Sequence, residues 1–406
     1  MMPAKCKHLL IIILVALLSF CPGCWDYREI EQSSIPSAVG VDLQEDGLLS
    51  FSTLLVQPLP PGEAGSSDVQ PVLVTSNGQG VALAARKNML SLSKVPEWAH
   101  VRAIILGENL VKNDLSQASD FMTRNRNLRP DISLFISSGT TPEEILAAQF
   151  PQTNDLGSGL QSMVKLNQDQ LGIYVPTTME EFTYRLATPG IEPLVPQVTL
   201  TDAPSAGNVS DSQTDTNGSQ TNNKKKQISL SGAAAFKGRK MAGSLNETEC
   251  RGYRWLSPTS TEGGLFIIPS PLNPEEDITM EIVVFGTQSR PEIVEGQIKI
   301  RIKVEAQLNF YEESGAAPVL EPELAGQIEA AATREIERQI KSCISRSQEL
   351  GSDFLGWGRL VYEYQPSEWE QVQSEWPNLF PDVKYSLQIK TVLKRNGMTS
   401  KSFQFK

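Results

Sequence analysis

Residues 296–311 read GQIKIRIKVEAQLNFY, and this stretch decides the fold of the C-terminal part of the chain. Apolar side chains stand at every second position from Ile298 to Phe310, with charged or amide side chains between them. A period of two predicts a long β-strand with one buried and one wet face. Such a strand needs other elements to cover its apolar face.

The chain after this strand supplies a candidate cover. Apolar residues recur every fourth position and predict one stripe of a long helix that ends before Gly351: Leu324, Ile328, Ala332, Ile336, Ile340 and Ile344. A capped helix is predicted from Ser367, and alternation from Val383 to Thr391 predicts a final strand. Residues 263–406 are therefore predicted to form an α+β domain, in which helices cover one face of an antiparallel sheet.

Two further segments precede this domain. Residues 227–262 predict a small middle αβ domain, with a hairpin turning at Lys237-Gly238 and a helix from Asn246 to Leu256. Residues 201–226 are rich in Ser, Thr, Asn, Asp and Gln without apolar periodicity, which predicts a polar linker or disordered loop.

Residues 24–200 predict an N-terminal α+β domain. Asp46-Gly47 predicts a hairpin turn, because both residues tolerate positive φ. Thr141 with Glu144 and Thr178 with Glu181 are spaced as helix caps, a role that explains these carboxylates better than a catalytic pair. The predicted fold class is α+β with three domains, each a mainly antiparallel sheet with helices packed on it.

The N-terminus predicts an export signal. Lys5 and Lys7 precede an apolar run from Leu9 to Phe20, which is shorter than the roughly 20 residues of a membrane-spanning helix. Gly23-Cys24 at its end resembles a bacterial lipobox, so residues 1–23 are predicted to be removed and Cys24 to be lipidated. Ordinary secretory cleavage is the alternative, although no A-x-A-like site lies nearby.

The same segment also contains a C-x-x-C pattern, Cys21 to Cys24, but its first cysteine would leave with the signal. Cys250 and Cys343 then remain as either a disulfide or two buried thiols. After removal of the signal, His100 is the one histidine left, which argues against a histidine-based metal site. No metal or other cofactor is predicted.

The net charge and the absence of catalytic motifs argue against nucleic-acid binding and against enzymatic activity. The formal net charge is −11, so nucleic-acid binding is disfavoured, and attachment to a membrane would depend on the lipid. The chain has no P-loop, no G-x-S-x-G and no H-E-x-x-H motif, and we predict that it is not an enzyme. A surface hydrolase would have to rely on carboxylates alone.

Several sequence blocks in order resemble the C-subunit lipoproteins of bacterial spore germinant receptors, the Ger(x)C type. The blocks are Gly23 to Ile30, Val39 to Asp42, Ala235 to Gly238, Arg251 to Leu256, Asp353 to Gly358, Trp369, Trp376 and Phe380 to Asp382. The resemblance implies a noncatalytic receptor subunit for spore germination with three α+β domains. It also implies a lipid anchor at Cys24, a place on the outer face of the spore inner membrane, and two integral-membrane partner subunits.

The block Asp353 to Gly358 has two interpretations. Its glycines would free the backbone to present Phe354 and Trp357 to a partner, or the segment would be a tight turn that packs both rings inward. Trp25 and Arg28 are further predicted partner contacts. The alternative function is a substrate-binding lipoprotein of an uptake system, which would need parallel βαβ lobes around a cleft.

Overall fold

The computed structural model describes residues 32–56, 71–148, 150, 153–202, 226–257, 261–313 and 322–395. The predicted signal, the lipidation site Cys24, and the predicted contacts Trp25 and Arg28 lie outside these residues. The described chain forms two sheets with helices packed on them, which confirms the α+β fold class.

The first sheet has nine strands in the order β3-β2-β1-β5-β6-β7-β8-β9, with β4 paired to β1. Their bounds are β1 (Ser33–Leu43), β2 (Leu49–Val56), β3 (Val72–Gly78), β4 (Val95–Pro96), β5 (Ala103–Leu106), β6 (Ser133–Ser137), β7 (Leu194–Asp202), β8 (Lys226–Lys237) and β9 (Lys240–Leu245). The predicted turn between β1 and β2 is present, with Gly47 at φ 79°.

Helices and short 3₁₀ turns connect these strands. The α-helices are α1 (Val81–Lys87), α2 (Glu108–Asn113), α3 (Ser116–Arg124), α4 (Pro142–Ala147), α5 (Leu156–Leu166), α6 (Met179–Ala187) and α7 (Glu247–Leu256). A turn of π-helix, Asn167–Leu171, continues α5. The capping box at Thr141 and the cap at Thr178 are confirmed, and Asn246 with Glu249 forms a further box.

Most residue pairs of this sheet are antiparallel, as predicted, but its centre is parallel, which the sequence did not predict. β1, β5, β6 and β7 pair in parallel, while the flanking pairs β1–β2, β2–β3, β7–β8 and β8–β9 are antiparallel. β5 and β6 are buried at every residue, as is typical of strands covered on both faces. Because parallel strands need long crossovers, the helices between them belong to this arrangement. Strand direction therefore does not separate this chain from a βαβ binding protein.

Strands of the first sheet extend into both ends of the predicted linker. β7 pairs with β8 from Leu194↔Ala235 to Asp202↔Lys226, so both ends of the 201–226 segment are strand, and its other residues, 203–225, are not among the described ones. The predicted middle domain, 227–262, thus contributes two strands to the sheet of residues 24–200. A lone hairpin with one helix has little core of its own, which favours this shared sheet. The division into three domains stays a prediction.

The second sheet has the order β10-β11-β12-β13. Its strands are β10 (Leu265–Pro269), β11 (Asp277–Val294), β12 (Gln297–Glu313) and β13 (Lys384–Arg395). The predicted strand β12 is confirmed, and its partner β11 was missed because irregular register at Thr279/Met280 and Ile282/Val284 breaks the alternation. β13 runs parallel to β12, since the helices between them carry the chain back to the same end of the sheet.

The long helix α8 (Pro322–Leu350) covers the inner face of this sheet, and its predicted stripe packs there. Ile336, Ile340 and Ile344 have no exposed surface. The chain then forms α9 (Trp357–Tyr364), α10 (Pro366–Val372) and α11 (Trp376–Leu379). α10 begins with Pro366 at N1 and without a side-chain cap, so the predicted cap at Ser367 is wrong. Among the described helices, none is both long and apolar enough to span a bilayer.

Candidate functional site

The loop from Asp353 to Gly358 lies inside the molecule rather than on its surface. Asp353, Phe354 and Trp357 are 4%, 1% and 2% exposed. Phe354 packs edge-on against Tyr253 with ring centroids 5.7 Å apart, and Trp357 packs against Phe380 at 5.8 Å. The inward-packed turn is therefore the correct interpretation. Phe354 and Trp357 offer no exposed surface to a partner in this structure.

A single carboxylate organises this loop. Oδ1 of Asp353 accepts from the backbone N–H of Trp357 at 2.9 Å, and Oδ2 accepts from the N–H of Gly358 at 2.8 Å and from Nε1 of Trp376 at 2.9 Å. These bonds satisfy amides at the start of α9, where Gly356 adopts φ 72°. Burial raises the pKa of Asp353 to about 7, although the bonds from Gly358, Trp357 and Trp376 act in the opposite direction. With its oxygens taken up by internal donors, this carboxylate holds structure and has no access to a substrate.

The backbone of the same loop joins the two sheets. The N–H of Glu192 donates to the carbonyl of Asp353 at 2.9 Å, and the N–H of Arg359 donates to the carbonyl of Gly190 at 2.8 Å. Gly190, at φ 78°, lies so close that a Cβ there would be 2.6 Å from the carbonyl carbon of Gly358. The segment before β7 and the loop before α9 therefore meet backbone to backbone.

Arg185 on α6 strengthens this contact. Its Nη1 donates to the carbonyl of Phe354 at 3.1 Å, and its Nη2 donates to the hydroxyl of Tyr253 at 3.0 Å. Glu181, one turn earlier on the same helix, forms a salt bridge with Arg185, in which Oε1 lies 3.0 Å from Nη2. The side chain of Arg185 is only 12% exposed, so these bonds are shielded from water.

Helix α7 makes a second contact between the two parts of the chain. Nη2 of Arg254 donates to the carbonyls of Glu262 and Gly263, both at 2.6 Å, and its guanidinium lies 5.2 Å from the ring centre of Phe285. Arg254 is 1% exposed, and burial, with the nearby charge of Arg251, lowers its pKa to about 10. The arginine thus fixes the chain that enters β10.

Arg251 extends the same contact to the N-terminal part. Its Nη1 donates to the carbonyl of Leu171 at 2.9 Å and to that of Leu265 at 2.6 Å. The backbones of Gly172 and Gly264 face each other, and a Cβ on Gly264 would lie 2.7 Å from Cα of Gly172. The blocks Arg251 to Leu256 and Asp353 to Gly358 therefore both lie where the two sheets are joined. We name these two sets of contacts the junction.

The buried cysteines belong to the surroundings of this junction. Cys250 and Cys343 are both free thiols, at 3% and 0% exposure, which resolves the alternative that the sequence left open. Burial raises the pKa of both thiols above the ordinary value. His100, in contrast, lies exposed on a 3₁₀ turn.

A separate cavity of about 670 Å³ lies between α5 and β8. Phe150, Met163 and Ile228 contribute apolar lining, and the side-chain oxygen of Asn167 is buried there without a hydrogen-bond partner among the described residues. Among the described residues that line it, the hydroxyls of Thr153, Ser158 and Ser162 are present, but no acidic or basic side chain that could activate them. Across the described residues, no cluster of three or more His, Cys, Asp or Glu side chains could hold a metal ion.

The junction contains residues that the sequence did not single out. The sequence analysis included Asp353 in a block that resembles the family but predicted no function for its side chain. The glycines three and five residues after it, which indicate a turn, were the sequence feature that could have pointed to it. Arg185 and Gly190 gave no such signal, because their partners lie 169 and 168 positions away along the chain.

Comparison with known proteins agrees with these blocks. A model of the spore germination protein N-terminal domain matches residues 26–200, and a model of the C-terminal domain of spore germination B3/GerAC-like proteins matches residues 231–397. Spore germination protein KC of Bacillus subtilis (strain 168) is 24% identical over 403 residues, covering 97% of this chain and 96% of the relative. Spore germination protein B3 of the same organism is 22% identical over 392 residues, covering 94% and 96%.

The fold has a solved counterpart. The crystal structure of the GerBC protein superimposes with a TM-score of 0.55 at 17% identity, covering 87% of this chain and 96% of that one. At this identity the match demonstrates the shared fold. The two domain models together account for most of the chain, and we conclude that the protein is a member of the spore germination B3/GerAC-like family, the Ger(x)C type.

Proposed function

We propose that the protein is a lipid-anchored, noncatalytic subunit of a nutrient germinant receptor. In this proposal it acts with two integral-membrane subunits at the outer face of the spore inner membrane and is needed for assembly or signalling. The observation that carries the proposal is its alignment, over nearly its whole length, with relatives named spore germination proteins. The apolar run that ends at Gly23-Cys24 supports the anchor.

The internal construction agrees with a scaffold role. Two of the blocks that resemble the family, Arg251 to Leu256 and Asp353 to Gly358, form a buried junction rather than an open cleft. A junction of this kind fixes the relative position of two sheets, and thereby the surfaces that they present to partners. Phe354 and Trp357 would then act on partners indirectly, by setting that geometry, while Trp25 and Arg28 remain candidates for direct contact near the anchor.

The anchor is tested by Cys24→Ala in the spore-forming host, with Cys21→Ala as the matched control. Cys21 lies in the same short segment but on the side that the proposal discards. We expect Cys24→Ala to abolish lipid labelling, to release the protein from the inner membrane, and to reduce germination by nutrients. Cys21→Ala should leave membrane retention intact. Normal germination and normal retention of Cys24→Ala would refute the role of the anchor.

The receptor assignment is tested separately. Purification of a tagged protein from detergent-solubilised spore membranes should recover two integral-membrane proteins in constant ratio. Deletion of the gene should slow germination by at least one class of nutrient and leave a nutrient-independent trigger effective. Recovery of a solute permease instead would favour the uptake-system alternative.

A further inference from the structure

No element among the described residues covers the outer face of the second sheet over much of its area. Alternate residues of β12 and β13 point into the core against α8, and the residues between them point outward. Outward positions such as Arg301, Lys303 and Lys390 are exposed. This face is therefore available to a partner.

The exposed face is basic, although the chain as a whole is acidic. Over 286–292 of β11, 299–305 of β12 and 384–390 of β13, the outward residues carry six positive and two negative charges: Arg290, Lys299, Arg301, Lys303, Lys384 and Lys390 against Glu292 and Glu305. We name these residues the basic face. Its local net charge is thus 6 − 2 = +4, on a chain with a net charge of −11. Such a separation of charge orients a protein toward a negative surface.

Like charges also stand directly opposite one another on this face. Arg290 pairs in register with Arg301, and Lys299 pairs with Lys384. Directly opposed like charges destabilise a sheet. Arg301 is partly balanced by Glu292 and Lys303 by Glu305 at 2.6 Å, and the guanidinium of Arg290 lies 4.1 Å from the ring centre of Tyr364. The opposed pair Lys299 and Lys384 is the part of this face whose repulsion an anionic partner would relieve most directly.

The hairpin tip beside the basic face carries two exposed apolar side chains, Val294 on the outward side and Ile293 on the side of Ile298, next to one carboxylate, Glu295, at the turn. Ile293 and Val294 are 39% and 46% exposed, and the tight turn at Glu295-Gly296, with φ of 52° and 76°, follows them. Lys299 and Arg301 lie a few residues further along the hairpin. Apolar side chains next to lysines and arginines suit the interface of a bilayer, where the tip enters the headgroup region and the cations contact phosphates.

The basic face also contains a groove that could accommodate lipid headgroups. A shallow groove of about 610 Å³ opens over Gly286, with Lys303, Lys390 and one carboxylate, Glu305, in its lining. Four of the six cations are lysines, which act as point charges toward phosphate without demanding a fixed geometry. An acidic polypeptide would use the charges but not the apolar tip.

We propose that the basic face and the tip Ile293-Val294 bind the surface of a bilayer that contains anionic phospholipid. This inference goes beyond the proposed function and does not depend on acylation. The contact would hold the second sheet against the membrane, with the acidic remainder of the chain turned away from it.

The test uses the full chain with Cys24→Ala, so that no fatty chain contributes. Vesicles of phosphatidylcholine alone are compared with vesicles that also contain phosphatidylglycerol. Lys5, Lys7 and the apolar run Leu9 to Phe20 would themselves favour the anionic vesicles, but this segment is the same in every variant compared below. Binding is measured by co-sedimentation at low and at physiological salt. We expect preference for the anionic vesicles, and we expect salt to weaken it.

Two triple variants with the same change in net charge give the decisive comparison. Lys299→Gln, Lys384→Gln and Lys390→Gln remove charges from the basic face. Lys87→Gln, Lys94→Gln and Lys165→Gln remove three exposed charges elsewhere. At roughly five-fold per charge, the first triple should lower the partition coefficient by on the order of a hundredfold, and the second should change it little. Ile293→Ser with Val294→Ser should weaken binding without changing its dependence on salt.

Thermal unfolding confirms that each variant is folded. Equal losses in both triples, or equal binding to both kinds of vesicle, would overturn the proposal. Unchanged vesicle binding by the first triple, together with loss of a protein that co-purifies from membranes, would also overturn it and would assign the basic face to an acidic protein surface.

Discussion

Nε1 of Trp376 donates a 2.9 Å hydrogen bond to Oδ2 of Asp353, across a buried space between α11 and the loop before α9. The same carboxylate holds the first amides of α9. Two segments that are separate in sequence, the loop with the start of α9 and the start of α11, therefore depend on one ionisable group. Because Asp353 lies next to the backbone contacts with Gly190 and Glu192, its state also bears on how the two sheets are joined.

The pH dependence of stability should report on Asp353. Its pKa is about 7 in the folded protein, against about 3.9 in an unfolded chain, so the folded state binds the proton more tightly. Its contribution to stability is therefore fully present below the unfolded value and is lost as pH rises through the folded value. In Asp353→Asn the side chain cannot titrate. Its NH₂ group would face an N–H donor that the carboxylate oxygen accepts from in the wild type. The excess stability of the wild type over this variant should be greater at pH 5 than at pH 8 by about 2–3 kcal/mol.

Urea denaturation at the two pH values measures this difference. Asp131→Asn serves as the control, since Asp131 is 53% exposed and pairs with Arg129 at the surface. If the free energy of unfolding of Asp353→Asn differs from that of the wild type by the same amount at both pH values, the pKa of Asp353 is not raised.

Close packing at the junction should make Gly190 far less tolerant of substitution than Gly47. Both glycines have nearly the same positive φ, 78° and 79°, but a Cβ on Gly47 meets nothing within 4 Å. Gly47→Ala should cost about 1 kcal/mol for the backbone alone. Gly190→Ala should cost at least ~2 kcal/mol more, because the methyl group would force Gly358 away. The midpoints of chemical denaturation test this, and equal losses would argue against a tight junction.

Arg185 should contribute more to the free energy of unfolding than an exposed arginine that also pairs with a carboxylate four residues earlier on its helix. Arg185→Met keeps most of the stem but removes the donors to Phe354 and Tyr253, and we expect a loss of about 1.5–3 kcal/mol. Arg124→Met is the matched control, because Arg124 also pairs four residues back, with Asp120, but is 80% exposed. That change should cost less than about 0.5 kcal/mol. Similar values in unfolding experiments would show that the junction does not use Arg185.

The two buried thiols should resist modification until the fold opens. Cys250 and Cys343 are free, buried, and raised in pKa, so the reactive thiolate is scarce and shielded. A maleimide should label neither in buffer and both in denaturant, as measured by intact-mass spectrometry without reductant. A disulfide would appear as a protein that stays unlabelled in denaturant until it is reduced.

Local patterns in the sequence determined the elements. The alternation from Ile298 to Phe310 and the four-residue recurrence from Leu324 to Ile344 both record which side of a single element meets the core, and both are confirmed. The caps at Thr141 and Asn246 depend on residues three apart, so they could be read directly.

Only the tertiary structure decided how these elements combine. Nothing in Ala103–Leu106 or Ser133–Ser137 specifies a parallel neighbour, because a strand buried on both faces looks alike in either direction. The inward direction of Phe354 and Trp357 likewise depended on Tyr253 and Phe380, which lie elsewhere along the chain. The sequence determined which faces must be buried, since burial is a property of each side chain. The fold decided what buries them, since that depends on contacts between residues far apart in the chain.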